Sequence, residues 1–135
     1  MRTELMHLLN PNNKRVFVSL PMRGHTDDEI KERQKQIFEL VSNVRESPYI
    51  LTFTLWQDNP PSPNNNLWYL GKSIQALGDS DIAVFSCDWA MAKGCVVERA
   101  ICSIYQIPII DEVDLIEINN IINDMDVSKV IDSVF

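Results

Sequence analysis

Glu98 is the residue whose type and placement promise the most chemistry. It stands four residues after Gly94 in the segment CDWAMAKGCVVERA, directly behind an apolar run. An ionised carboxylate held at a sheet edge can attack a sugar carbon as a nucleophile. A glutamate in a first helical turn also serves simply as a favourable charge at the positive end of the helix dipole, and that dipole is expected to keep Glu98 ionised. Trp89 is a large ring in the same polar loop, suited to stacking on a flat base or to packing as a lid.

A second group lies in SLPMRGHTDDE, where Arg23 adjoins Gly24 just ahead of a helix start. Backbone N–H groups at a helix N-terminus attract anions, and an arginine beside them makes a phosphate clamp. A plain strand-to-helix turn with an exposed arginine fits the same residues equally well. Neither a Walker loop nor a GxGxxG turn is present. The densest loop signal is QDNPPSPNNN, Gln57–Asn66, which contributes Asp58 as a further carboxylate. Proline and asparagine exclude helix and strand there, and a long loop in a small domain is often functional.

Cys87, Cys95 and Cys102 form no disulfide framework, and His7 and His25 lie far from them, so buried free thiols are expected and a metal site is not.

Particular elements have to position these groups. Lys14–Leu20 reads as a first strand, closed by Pro21. Thr26 reads as an N-cap, with Asp27, Asp28 and Glu29 in the first turn of a helix running to about Arg45. Ile30, Ile37, Leu40, Val41 and Val44 share one face of it. Tyr49–Trp56 reads as a second strand and Leu67–Leu77 as a helix. Asp81–Cys87 reads as a strand buried on both faces. Gly94–Tyr105 reads as a helix with Val97, Ile101 and Ile104 inward, and Ile107–Ile110 as a fourth strand. Val113–Ile118 reads as a fifth strand before a last helix over Asn120–Val134. Asp79 and Asp81, at the amino-terminal end of their strand, read as structural, and Trp56 and Trp68 as packing residues.

Strands alternating with helices imply βαβ units around a parallel sheet. The expected fold is one α/β domain over residues 1–135, Rossmann-like in the flavodoxin-like manner, with four to five parallel strands flanked by helices. Ligands in such sheets bind outside the carboxyl ends of the strands. Three loops meet that edge: Ser19–Thr26, Trp56–Asn66 and Cys87–Glu98.

The 135 residues suffice for one real core. The net charge of −7 is uneven: residues 1–50 hold eight Lys/Arg against seven Asp/Glu, and residues 51–135 four against twelve. Such a chain is poorly suited to gripping a nucleic-acid polymer, whereas a small anion can still be met by local cations. The polar N-terminus does not read as a signal peptide, and no apolar run approaches the roughly 18 residues of a membrane span. A soluble, cytoplasmic protein without membrane contact is expected.

Three stretches, VFVSLPMRG, ALGDSDIAVF and WAMAKGCVVERAICSIYQIPII, together resemble the nucleoside 2-deoxyribosyltransferase superfamily, and most closely its small branch from phage and prophage genomes. The likeness covers roughly residues 14–110. The resemblance implies that Glu98 is the nucleophile, attacking the anomeric carbon. The first loop is also similar to that of the deoxynucleoside 5′-monophosphate N-glycosidases, which implies that Ser19, Arg23 and Gly24 hold the 5′-phosphate. A substrate-positioning aspartate of the family falls at Ser73 here. The acidic residue that the transferases carry before the glycine, for the base, has Asp88 as its nearest counterpart.

The resemblance therefore implies cleavage or exchange of the N-glycosidic bond of a deoxynucleoside or its 5′-monophosphate. No metal or organic cofactor is implied, and a homo-oligomer is, because a neighbouring subunit commonly completes the family's sites. Ser73 favours a rival, a nucleotide-binding module of the same fold without turnover. A third class is an interaction protein presenting its acidic segment Asp111–Asp132.

Overall fold

The computed structural model describes residues 3–44, 50–51 and 65–134. A short helix α1 (Thr3–Leu9) precedes β1 (Arg15–Ser19), α2 (Asp27–Val44), β2 (Ile50–Leu51), α3 (Asn65–Gly78) and β3 (Ile82–Phe85). A single 3-10 turn over Trp89–Met91 leads to α4 (Lys93–Tyr105), β4 (Ile109–Asp111) and α5 (Glu112–Val134). The order across the sheet is β2-β1-β3-β4, and every pairing is parallel. The chain is thus α/β, with a parallel sheet flanked by helices.

The two central strands follow from their composition. RVFVS is buried after its first residue, and IAVF is buried throughout. A parallel strand covered on both faces needs such an unbroken apolar run. Alternate residues address opposite faces. Phe17 and Ser19, with Ala83 and Phe85 beside them in register, point towards α4. Val16, Val18, Ile82 and Val84 point the other way. Right-handed crossovers place α2 on one face and α3 and α4 on the other, and the packing agrees, α2 lying on α5 and α3 on α4.

Helix α2 starts where a capping box sets it. Glu29 N–H donates to Thr26 Oγ1 at 3.2 Å, and Thr26 N–H donates to Glu29 Oε1 at 3.3 Å. Its buried stripe is Ile30, Gln34, Ile37 and Val41, with Leu40 and Val44 partly buried against the core. Asp81 is structural as expected, its Oδ2 accepting the backbone N–H groups of Lys14 and Arg15, each at 2.9 Å.

Three expectations are overturned. Val113–Ile118 is the start of α5 and not a strand. Glu112 and Asp114 favour a helical first turn there, while Leu115 and Asn119, one turn apart, are buried. The buried residues of α4 are Cys95, Glu98 and Cys102. Of the expected stripe, Ile101 packs partly buried against the core, while Val97 and Ile104 are exposed. Ile104 is 72% exposed and Cys102 0%. Apolar spacing gives the period of a helix but not its phase when small thiols compete with branched chains for the same interior. Cys87 is exposed, so only Cys95 and Cys102 are buried thiols. In addition, Asn65 and Asn66 belong to α3 and not to the long loop, and α1 carries Leu8 into the core. Most of the second strand and of the loop, with Trp56 and Asp58, lies outside the described residues.

Candidate active site

The sheet's growth reverses beside β1: the chain goes out to β2, then returns past β1 to β3. The carboxyl ends of β1 and β3 therefore adjoin, with Ser19 opposite Phe85 in register and Ser86 N–H donating to Ser19 O at 2.9 Å. The loop after β1 carries Arg23 and Gly24. The loop after β3 carries Asp88 and Trp89 and enters α4, which brings Glu98 over the end of β1.

Glu98 is 7% exposed and makes no ion pair among the described residues. Burial pushes its carboxyl up to about 7, with the nearby Ser19 side chain pulling the other way. The expectation of a first-turn glutamate held ionised by the helix dipole is corrected. Helix α4 begins at Lys93 and has no acidic residue in its first turn, so Glu98 lies beyond the reach of the dipole, and burial opposes its charge. Arg99, the next residue, is turned away towards Asp111. Ser19 is buried, and its Oγ completes no hydrogen bond among the described residues. The hydroxyl nevertheless lies close enough to the Glu98 carboxyl and the Cys95 thiol to favour the charged form of each, so it faces the buried side of α4.

Gly94 lies in the first turn of α4. A Cβ built there would stand 3.9 Å from Glu98 Oε1 and 4.0 Å from Leu70 Cδ1, in ordinary contact. Ala92, the N-cap, has no side chain to bond the first N–H groups of the helix. Cys95 shares the buried face with Glu98, and desolvation pushes its thiol up to about 11, leaving it inert at neutral pH.

Arg23 is exposed and makes no ion pair among the described residues. Gly24 has φ +85° in a turn closed by His25 N–H donating to Met22 O at 3.1 Å. That left-handed conformation, and not space, explains the glycine, since nothing lies within 4 Å of an added Cβ. Gly24→Ala is expected to destabilise the fold by about 1–2 kcal/mol. An unmoved denaturation midpoint would show that the turn relaxes freely.

The remaining candidates separate. Asp88 is exposed, its Oδ1 accepting from Ser86 Oγ at 2.7 Å. Ser73 is buried on α3, the helix that packs on α4. Trp89 is half-buried. Its ring meets Phe85 edge-on with centroids 6.2 Å apart, and the Arg99 guanidinium lies 4.3 Å from its centroid. Trp68, half-buried, meets Tyr69 edge-on and has Lys72 over its ring, both on its own helix.

Sequence reasoning missed four residues at this edge: Arg33, Arg99, Asp111 and Glu112. The adjacent acids closing β4 were the available signal, but their arginine partners lie on other elements and no spacing rule connects them. Among the described residues there is no cluster of His, Cys, Asp and Glu able to hold a metal ion, and no helix long and apolar enough to cross a membrane.

Compared with family models, curated proteins and solved structures, the chain matches none.

Proposed function

We propose that this chain is a flavodoxin-like α/β domain that cleaves or exchanges the N-glycosidic bond of a deoxynucleoside or its 5′-monophosphate, with Glu98 as nucleophile. The observation that carries the proposal is Glu98 itself: a buried carboxyl with no ion-pair partner among the described residues, beside the buried Ser19 hydroxyl. The strand order supports the fold reading, because it is the flavodoxin-type order, whose switch point between β1 and β3 is where ligands bind. The likeness of the three segments to the deoxyribosyltransferases supports the choice of substrate.

In this mechanism a Glu98 carboxylate oxygen bonds to C1′ as the C1′–N bond breaks. The electron pair leaves with the base, which takes up a proton. Water, or a second base, then attacks C1′, and the ester oxygen returns to Glu98 as carboxylate. The Ser19 hydroxyl supplies a hydrogen-bond donor beside the reacting carboxylate. Incubating the protein with a panel of deoxynucleosides and their 5′-monophosphates and detecting free base tests the proposal. Thermal stabilisation by a nucleotide without base release would leave the binding-module reading, which Ser73 favours. Neither response would leave the interaction-protein reading.

Of the three residues that the resemblance assigns to the 5′-phosphate, Ser19 is buried beside Glu98 and Cys95, so Arg23 and the turn at Gly24 alone are proposed to receive it. Arg23→Ala is then expected to remove most of a binding preference for monophosphate over nucleoside, on the order of 1.5–3 kcal/mol for a charged hydrogen bond. Equal calorimetric affinities for the two in the wild type would sink this assignment.

A further inference from the structure

Asp111 and Glu112 are neighbours at the carboxyl end of β4, yet their side chains serve opposite faces of the sheet. Asp111 accepts from Arg99 Nη1 at 2.7 Å and Nη2 at 3.2 Å. The same guanidinium covers Trp89, at 4.3 Å, and lies 5.1 Å from the centroid of Phe85. Glu112 takes Arg33 of α2 in a second fork, at 2.7 and 2.6 Å. Its Oε1 also accepts the backbone N–H of Cys87 at 2.9 Å. One carboxylate thus holds the backbone at Cys87, and the other, through Arg99, holds the Trp89 ring.

Between these two points Trp89 N–H donates to Ser86 O at 3.1 Å. Glu112 is buried, and forked arginine–carboxylate pairs are the directional kind. Apolar packing would often stabilise such a place as well as a buried pair does. What the pairs contribute is geometry: the path of the chain from β3 into α4.

We propose that Asp111 and Glu112 are positioning residues that clamp the Ser86–Ala92 segment from both faces of the sheet and so fix where α4, with Glu98, begins. Their service to catalysis rests on the proposed function, whereas the clamp does not.

The test uses the full chain without ligand. Cys87 is exposed and Cys95 and Cys102 are buried, so a disulfide reagent such as dithiobis-nitrobenzoate reads Cys87 in the native protein. Burial raises the Cys87 thiol above its ordinary value, Glu112 raises it further, and Arg33 opposes them. Glu112→Gln weakens the fork to Arg33 and with it the hold on the Cys87 backbone, so Cys87 is expected to react several-fold faster. The rate compared is the limiting one, at a pH where the thiol is fully ionised in both proteins and the lost charge no longer sets the thiolate fraction. Arg99→Lys keeps the charge facing Asp111 but loses the flat group over Trp89. In a background with Trp56 and Trp68 replaced by phenylalanine, its emission is expected to move to the red. This variant leaves the buried pair intact and decides the matter if Glu112→Gln does not fold. An unchanged thiol rate in folded Glu112→Gln, or unchanged emission in Arg99→Lys, would overturn the clamp. Where the wild type releases base, both variants are expected to lower kcat more than they raise KM, and an unchanged kcat would overturn the positioning role. A wild type that releases no base overturns the proposed function instead, while thiol rate and emission still decide the clamp.

Discussion

Glu98→Gln is expected to lower base release on the order of 10³-fold or more, about 4 kcal/mol of transition-state stabilisation. The amide keeps the volume of the side chain and removes the oxygen nucleophile. Nucleotide affinity, read by titration calorimetry, is expected to stay within a few-fold, because the phosphate is assigned to Arg23 and Gly24. A 2′-fluorinated analogue with a good leaving group is expected to leave a covalent adduct on the peptide containing Glu98. Fluorine destabilises the oxocarbenium-like state in both steps, and the leaving group rescues only the first. Undiminished turnover in the variant would remove Glu98 from the chemistry. Tight binding without base release in the wild type would turn attention to Ser73.

The same substitution is expected to change stability in a pH-dependent way. Burial raises the Glu98 carboxyl from 4.5 to about 7. Between those values the folded state keeps a proton that the unfolded chain has released. Stability from this group is therefore greatest below 4.5, falls as the pH rises, and is lost above about 7. The shift corresponds to about 3 kcal/mol. Glutamine has no proton to lose, so Glu98→Gln is expected to be the more stable protein above pH 7, by up to about 3 kcal/mol, and no more stable than wild type in acid. Urea midpoints at the two ends of this range measure it. The same difference at both would mean that the carboxylate is not held away from water. Base release in the wild type is expected to rise with pH through the same region, because the ionised form is the nucleophile.

Much of the scaffold was legible because its signals are local. VFV and IAVF are apolar without interruption, as a strand covered on both faces requires. Thr26 and Glu29 stand at capping-box spacing, and the start of α2 follows from those two residues. The phase of α4 was not legible: its branched residues offered one stripe, and packing against the sheet selected another, through Cys95, Glu98 and Cys102. The segment after Asp111 has apolar residues close enough together to suit strand or helix. The pairing of α5 with α2, where Asn119 donates to Leu40 O at 3.1 Å, belongs to the helix.

By itself the sequence determined the alternation of strands and helices, the two buried central strands and the loops that meet at their carboxyl ends. These depend on residues within a turn or two of one another. The surroundings of Glu98 were decided by the tertiary structure alone. Local reasoning gave it a helix dipole and a negative charge. Folding gave it the end of β1, a neighbouring serine, two buried thiols on its own helix and an Arg99 committed elsewhere. Desolvation depends on which distant residues exclude water, and no spacing along the chain encodes that.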